Sequence, residues 1–364
     1  MIDEKLLKSD EKAIFNLRSL YRSYGYAPFK MSKFEEYELY VRNKDFLVSD
    51  RVITFNDTNG KLMALKPDVT LSIIKSSDDT PNQKKKVFYN ENVYRISKNT
   101  HRYKEIMQAG LECIGKLNFY DIYEVILLAA QTLASISESF VLNVSHLGIL
   151  QKILDGICSE TSFAEKAVKL IEEKNCHDLL KLCGEYGIDK DKSEKLTVLI
   201  TASGERKQVL AALSQICEKE DLNELEVISE MLDDSPFSDN ILLDFSVVNN
   251  INYYSGFVFK GFINGICDGV LAGGQYDKMM KKMGRSSGAV GFALYLDLLE
   301  QLEQEKSDYD VDVLLVYDEA SDGKAVAARV NEIVKSGKSV TAQCGMPEKT
   351  RCREIIDLRG NGNA

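Results

Sequence analysis

The sequence is poor in the residues that build metal centres and redox motifs. It holds three histidines, and its eight cysteines are scattered without a CxxC pair. A zinc site of the Cys/His type therefore has little support, and reduced thiols are the expectation. The patterns HExxH, the phosphate-binding P-loop and a Ser-His-Asp order are also absent from the sequence. We predict no metal and no cofactor.

Long apolar runs and excess positive charge are missing as well. No apolar run reaches the ~18 residues of a membrane span, and the charged N-terminus MIDEKLLKSDEKAIF lacks the apolar segment of a signal peptide. The formal net charge is −10. That balance argues against nucleic-acid binding over the whole surface, although it leaves room for a local basic patch. We expect a cytoplasmic protein that does not contact membranes.

The hydrophobic pattern indicates a mixed α and β protein. With 364 residues, of which 44% are hydrophobic, the chain has room for two or three domains. In the first part we predict a helix over 9–24, two strands over 48–66 joined at NDTNG, an antiparallel pair over 84–97 and 106–114, and an apolar helix over 120–137.

The later part changes character twice. Residues 147–234 are helical in pattern and rich in Lys and Glu, which suggests an insertion. Beyond them we predict strands over 241–248, 254–263 and 267–272, a helix over 288–303, and a closing strand, helix and strand over 311–344. The predicted domains are a core formed by 1–145 and 236–305, a helical insertion over 146–235, and a small α/β module over 309–364.

Five segments, in order, resemble the signatures of class II aminoacyl-tRNA synthetases in their histidyl form. They are SYGYAPFKMSKFEEYELY (23–40), KPDVT (66–70), FYNENVYRISKNTHRYKEIMQAGLECIG (88–115), INYYSGFVF (251–259) and AGGQYDKMMKKMG (272–284). The resemblance implies an α+β fold, with an antiparallel sheet of six or seven strands flanked by helices. It also implies a homodimer formed through the first segment, which corresponds to motif 1.

The family includes working synthetases and a synthetase-like regulatory subunit of ATP phosphoribosyltransferase, and the ATP-site residues separate the two. Arg95 and Arg102 match family arginines of motif 2. Three other positions differ: Ser97 replaces the glutamate that holds adenine, Asn249 replaces the catalytic arginine, and Leu298 replaces the motif 3 arginine. Since one such charge donor contributes ~3–4 kcal/mol to transition-state stabilisation, we expect adenylation to be lost and the ATP site to be vestigial.

The residues that correspond to the family's amino-acid-binding positions match it more closely than those of the ATP site. Gln108 and Glu112 are four residues apart on a predicted strand, so their side chains point to one face. Thr70 is also a candidate N-cap for the helix that follows it. The resemblance implies that histidine is bound by Asp68, Thr70, Gln108, Glu112, Tyr253, Tyr254, Gly273, Gly274 and Tyr276, with Gln275 in place of a family arginine. The alternative is that Gln108 and Glu112 are sheet polar groups retained without a ligand.

From this resemblance we expect a non-catalytic regulatory subunit in histidine biosynthesis. The implied partners are the short-form catalytic subunit of ATP phosphoribosyltransferase and L-histidine as effector. The acidic charge and the short C-terminal module make tRNA an unexpected ligand. Two alternatives stay open, an authentic histidyl-tRNA synthetase and a free-standing histidine-binding protein.

Overall fold

The computed structural model of the protein describes residues 9–44, 47, 52–77, 83–96, 102–248, 253–302, 309–347 and 349–359. The chain forms two compact units, Met1–Leu302 and Glu303–Ala364. The predicted core and the predicted helical insertion both fall within the first unit. Their separation into two domains therefore stays a prediction.

Strands and helices are numbered in chain order. The strands are β1 Ala27–Pro28, β2 Phe34–Glu36, β3 Thr54–Asn56, β4 Leu62–Leu65, β5 Lys85–Ile96, β6 Tyr103–Gly115, β7 Phe140–His146, β8 Ser203–Gly204, β9 Ile241–Asp244, β10 Phe257–Ile263, β11 Leu271–Gln275, β12 Gly288–Tyr295, β13 Val311–Tyr317, β14 Val340–Cys344 and β15 Cys352–Asp357. The helices are α1 Ser9–Ser23, α2 Tyr37–Arg42, α3 Thr70–Lys75, α4 Phe119–Ala134, α5 Leu147–Ile157, α6 Thr161–Glu172, α7 Cys176–Glu185, α8 Lys190–Thr201, α9 Arg206–Leu213, α10 Lys219–Asp233, α11 Asp277–Lys282 and α12 Gly323–Lys335.

The first unit is built on one large sheet. Within the described residues its strand order is β1-β5-β6-β12-β11-β10-β7-β9-β8. Neighbouring strands run antiparallel except for the pairs β1–β5 and β7–β9, which are parallel. The sheet is therefore larger than the six or seven strands expected, because two-residue strands extend it at both edges. The α+β class with a mainly antiparallel sheet is confirmed.

The predicted helix over 288–303 is wrong. Residues 288–295 form β12, which pairs with β6 on one side and with β11 on the other, and only Leu296–Gln301 turn into a short 3-10 helix. A strand that is buried on both faces shows a continuous apolar run instead of alternation. Such a run, here AVGFAL, has no period that distinguishes it from a buried helix.

Side chains of the central strands alternate between two cores. Leu111 and Cys113 of β6 point to the main core, which also holds the inner face of α4. Glu112 lies between them in sequence and therefore points to the opposite face. A capping box at the start of α4 fixes that helix, since Asn118 and Asp121 bond each other's backbone N–H.

A buried arginine ties the helical region to the sheet. Arg206, at the start of α9, is 5% exposed. Its guanidinium donates to the carbonyl oxygens of Ser238 and Ile241, both at 2.6 Å, and pairs with Asp233 of α10. Five donors in a fixed plane make arginine suited to joining several acceptors in this way.

A separate three-stranded sheet, in the order β2-β4-β3, leads into the segment that carries Asp68. The turn between β3 and β4 is held by Asp57, whose carboxylate accepts from the backbone N–H groups of Asn59 and Lys61 at 2.8 Å. Strands β3 and β4 fall within the predicted 48–66 hairpin, whereas β2 lies outside it. Their role is to bring residues 66–70 over the open face of the main sheet.

The second unit is a parallel sheet, in the order β14-β13-β15, with α12 against it. Elements β13, α12 and β14 lie within the strand, helix and strand predicted over 311–344. Strand β15 was not predicted, because its sequence CREIID is polar and largely exposed, so it lacks the apolar pattern of a buried strand. No helix among the described residues is long and apolar enough to cross a membrane.

Candidate functional site

A cavity of about 670 Å³ lies on the open face of the main sheet. Seven of the nine residues predicted to bind histidine line it: Asp68, Thr70, Gln108, Glu112, Tyr253, Tyr254 and Tyr276. They come from the β4–α3 segment, from β6, and from the segments on either side of β10 and β11. The structure thus brings together residues that span more than half of the chain.

Strand β6 carries the two polar residues at the centre of this cavity. Gln108 and Glu112 are 3% and 2% exposed. Directly across from Glu112 on β12 is Gly291, where an added Cβ would lie 1.7 Å from Glu112 Oε2. Glycine at 291 therefore leaves the space that the Glu112 carboxyl group occupies.

Both oxygens of Glu112 accept hydrogen bonds from neutral hydroxyls. Thr70 Oγ1 donates to Oε1 at 2.7 Å, and the Tyr276 hydroxyl donates to Oε2 at 2.5 Å. Burial raises the pKa of Glu112 to about 8; the two hydroxyls oppose this rise, and Asp68 adds to it. Burial also raises the pKa of Tyr276 far above its usual value, so this hydroxyl stays a neutral donor.

Asp68 both caps a helix and lines the cavity. Its Oδ1 accepts from the backbone N–H of Leu71 at 2.9 Å, which satisfies one of the free donors at the start of α3. The candidate cap Thr70 instead turns its hydroxyl to Glu112. Burial raises the pKa of Asp68, while the Leu71 N–H and the Arg95 charge oppose that rise.

Two cations, Arg95 and Lys66, stabilise the charged form of Asp68. The sequence analysis had singled out Arg95 but not Lys66. Arg95 donates from Nε to the carbonyl oxygen of Pro67 at 2.9 Å and lines the cavity. Lys66 was missed, although it is 0% exposed and its Nζ pairs with Glu91 at 2.9 Å. Burial lowers the pKa of Lys66, and the Glu91 carboxylate opposes this. A lysine that follows the apolar run LMAL and precedes a proline was the available signal.

Of the other residues of the predicted ATP site, the two that the structure describes lie outside this cavity. Arg102 is exposed, and Leu298 is partly buried against the main core. Neither residue lines the cavity. Ser97 and Asn249 lie outside the described residues.

The two glycines of the predicted site, Gly273 and Gly274, are not among the residues that line the cavity. A Cβ on Gly273 would lie 2.5 Å from Phe292 Cβ, on the face that belongs to the main core, so this glycine permits close strand packing. A Cβ on Gly274 would lie 2.8 Å from Tyr254 Cδ1, so this glycine makes room for a tyrosine that does line the cavity.

Aromatic rings close the cavity around the carboxyl groups. Tyr253 packs edge-on against Tyr254 with ring centroids 4.7 Å apart, and its centroid is 5.8 Å from that of Tyr276. Burial raises the pKa of all three hydroxyls well above the usual value.

Within the described ranges no group of three or more His, Cys, Asp and Glu side chains is placed to hold a metal. The site suits a ligand that brings positive charge and several N–H donors.

Residues missed by the sequence analysis line the far end of the cavity. Lys260 of β10, Asp268, Tyr295 at the end of β12, and Glu172 of α6 all contribute. The carbon chain of Lys260 lies over Gly269, where an added Cβ would be 2.3 Å from Lys260 Cε. No motif joins these residues, because they come from α6, β10, the β10–β11 connection and β12 and converge only in the folded chain.

A family model described as Histidyl-tRNA synthetase matches residues 3–299 of the chain. The chain belongs to the histidyl-tRNA synthetase family. The match ends near the boundary between the two compact units, so it covers nearly all of the first unit. The assignment agrees with the resemblance of the five sequence segments.

Relatives of this chain carry the name ATP phosphoribosyltransferase regulatory subunit. The protein of that name from Acetivibrio thermocellus is 25% identical over 360 residues, which cover 95% of this chain and 85% of the relative. The one from Caldanaerobacter subterraneus is 28% identical over 354 residues, with 94% and 90% covered. The prediction of a regulatory-subunit-like member of the family is confirmed by these comparisons.

Solved structures show the same fold. An ATP phosphoribosyltransferase regulatory subunit/histidyl-tRNA synthetase from Bacillus halodurans superposes with a TM-score of 0.76 at 22% identity, covering 99% of this chain and 97% of the other. A chain of the ATP phosphoribosyl transferase (HisG:HisZ) complex from Thermotoga maritima gives 0.63 at 21% identity, covering 79% and 97%. Histidyl-tRNA synthetase from Nostoc gives 0.66 at 15% identity, covering 96% and 86%.

From the raised pKa of Glu112 we predict how the free energy of unfolding depends on pH. Its pKa is about 8 in the folded chain against an ordinary 4.5. Between these values the folded state keeps a proton that the unfolded state has lost, so the free energy of unfolding falls as pH rises, by at most ~1.4 kcal/mol per pH unit from this group. Glu112→Gln should remove that component in urea denaturation followed across this pH window.

The control is Glu230→Gln, which changes an exposed carboxylate on α10 and should keep the wild-type slope. Identical slopes for the wild type and Glu112→Gln would show that Glu112 titrates as it does in water.

Proposed function

We propose that this protein is a regulatory subunit of ATP phosphoribosyltransferase. In this proposal a short-form catalytic subunit needs the chain for full activity and for feedback by histidine. The supporting observation is the cavity on the open face, which keeps buried carboxyl groups for an amino acid in a chain whose relatives are named regulatory subunits. The chain itself catalyses no aminoacylation.

The end of β12 supports the loss of adenylation. In the family string Gly-Leu-Glu-Arg, the glycine corresponds to Tyr295 and the arginine to Leu298. Tyr295 stands across from Gln108 and lines the cavity, while Leu298 packs on the main core. An aromatic ring thus occupies space beside Gln108, and an aliphatic side chain replaces a positive charge. Both changes disfavour a triphosphate with developing charge.

Histidine fits the charges that remain. We propose that its ammonium group meets Asp68, and that its imidazole meets Glu112 and Tyr254. Burial raises the pKa of both Asp68 and Glu112, Asp68 adds to the rise at Glu112, and a cationic ligand would stabilise both carboxylates. Histidine then acts by linkage, since a ligand that binds one state of the complex better shifts the population toward it.

The same proposal includes a homodimer through the motif 1 region. An apolar pair is exposed there: Phe34 is 48% exposed and stacks edge-on with Phe55 of the neighbouring hairpin, itself 38% exposed, at 5.3 Å between ring centroids. These side chains lie on the small sheet next to α2. An apolar group of this kind is typical of protein interfaces.

We predict a dimer in sedimentation velocity at micromolar concentration. Phe34→Glu should shift the population toward the monomer, because it places a charge within the apolar surface. Val334→Glu, at an exposed apolar position of the second unit, serves as the control and should leave the dimer intact. A monomeric wild type would overturn this part of the proposal.

Two assays separate the regulatory role from the synthetase alternative. With a short-form catalytic subunit, addition of this chain should raise ATP phosphoribosyltransferase activity, and histidine should lower the activity of the mixture. The chain alone should show no histidine-dependent ATP–pyrophosphate exchange, because the charge donors for adenylation are replaced. Exchange at the rate of a working synthetase would favour the alternative, and failure to activate the catalytic subunit would contradict the regulatory role.

L-histidine should bind the isolated chain without ATP, with affinity in the micromolar to millimolar range, roughly 4–8 kcal/mol. Calorimetry measures this directly. Asp68→Asn should weaken binding by ~2–3 kcal/mol, because it removes the counter-charge of the ammonium while its Oδ1 still caps α3. Glu112→Gln should weaken binding less and leave the fold intact.

The matched control for both variants is Asp297→Asn, which alters a carboxylate that does not line the cavity. If histidine gives no heat at millimolar concentration, or if both variants bind like the wild type, the effector site lies elsewhere, on the catalytic partner or between the subunits.

A further inference from the structure

A second cavity, of about 720 Å³, lies behind the main sheet, and we call it the rear cavity. Its lining includes Phe119 at the start of α4, Glu224 of α10, Gln275 at the end of β11, and Asp277. Gln275 is in register with Val290 of β12, and Val290 with Cys113 of β6, so these side chains share the face of the main core. The rear cavity is therefore on the opposite face from the site that holds Glu112.

Gln275 presents half of its amide to the rear cavity. The side chain is 7% exposed, and its Oε1 accepts from the backbone N–H of Phe257 at 2.7 Å. A Cβ on Gly256 would lie 2.0 Å from Oε1, so that glycine makes room for this bond. The other end of the amide, Nε2, has no hydrogen-bond partner in the part of the chain that the structure describes. A donor that faces the cavity without a protein partner can bind an oxygen acceptor on a ligand.

Asp277 offers a carboxylate oxygen beside that amide. Its Oδ1 accepts from the backbone N–H of Ala289 at 3.0 Å, and Oδ2 has no hydrogen bond to any described residue. Burial raises the pKa of Asp277; the Ala289 N–H and Lys281 oppose this rise, and Glu224 adds to it. A cation between Asp277 and Glu224 would stabilise both carboxylates.

Glu224 is held in place by a histidine. The Nδ1 atom of His146 accepts from the backbone N–H of Ile149 at 3.2 Å, so the ring proton of the neutral imidazole is on Nε2. That nitrogen lies 3.3 Å from Glu224 Oε2 and donates to it. Glu224 Oε1 has no hydrogen bond or ion pair with the residues that the structure describes, and it remains an acceptor on the cavity wall.

The wall of the rear cavity thus provides two carboxylate acceptors next to one amide donor. Leu117, Ile122 and the ring of Phe119 supply apolar surface, and the exposed Lys116 contributes the cation of the lining. A ligand that matches this set carries a primary ammonium for the carboxylates and a neutral oxygen acceptor for Gln275. A free carboxylate in place of that oxygen would be repelled by Asp277 and Glu224.

We propose that the rear cavity binds an α-aminoacyl group: a primary ammonium one carbon away from an amide carbonyl, followed by an apolar side chain. A peptide amino terminus and a small amino-acid amide both have this chemistry. The inference rests on the geometry behind the sheet and does not depend on the proposed regulatory role.

The test uses the full chain and two probes, L-leucinamide and the peptide Leu-Gly-Ser-Gly amide, each compared with its N-acetylated form. Calorimetry or protein-observed NMR should show binding of the free amines and at least about tenfold weaker binding of the acetylated forms, because acetylation removes the charge. Tighter binding of the peptide would identify a chain terminus as the source, and equal binding a small amine. If neither probe binds, or if acetylation has no effect, the proposal is overturned.

Variants locate the binding. Glu224→Gln and Asp277→Asn should each weaken binding of the free amines about fivefold or more, since each removes one charge and keeps an acceptor for its backbone or ring partner. The control Glu230→Gln makes the same change on an exposed site of α10.

The Glu224 side chain is 36% exposed, so Glu224→Gln tests the site even if Asp277→Asn were to fold poorly. Wild-type affinity in Glu224→Gln would show that the amines bind elsewhere. Unchanged histidine binding in both variants would show that the open-face site is separate.

Discussion

The site on the open face depends on one buried carboxyl group, that of Glu112. A carboxyl group at 2% exposure must find donors or stay protonated, and Glu112 does both. Its donors, Thr70 and Tyr276, come from segments more than 200 residues apart in the chain, and Gly291 of a third segment leaves the space. The packing of α3, β6, β12 and the end of β11 must therefore be correct together before this group is satisfied.

The same requirement extends to the loop before α3. Thr70 reaches Glu112 only when α3 begins at the right place, and the bond from Leu71 N–H to Asp68 marks that start. The loop in turn is fixed by Lys66, buried against Glu91, and by Arg95 on the Pro67 carbonyl. Removing one partner of a buried pair leaves the other charge without compensation, which costs several kcal/mol. Both cations thus fix the loop that carries Asp68.

The sequence predicted those parts of the structure that have a local period. The β5–β6 pair, the shared face of Gln108 and Glu112, and α4 all follow from spacings of two or of 3.6 residues. Strand β12 was missed because a strand buried on both faces has no such period. The helix cap was assigned to Thr70 instead of Asp68, because the competing partner of Thr70, Glu112, is 42 residues away. The rear cavity could not be predicted either, because Glu224, Gln275 and His146 come from three segments that are far apart in the sequence.

Residues 275–277, where β11 passes into α11, line the two cavities in turn. Gln275 points to the rear cavity, and the next residue, Tyr276, donates to Glu112 on the open face, while Asp277 lines the rear cavity again. The backbone between them is tied on both sides, since Ser255 N–H bonds the Gln275 carbonyl and Tyr276 N–H bonds the Ala289 carbonyl. These bonds fix residues 275–277 between the Ser255 segment and β12, so the donor to Glu112 and the acceptors behind the sheet depend on the same short segment.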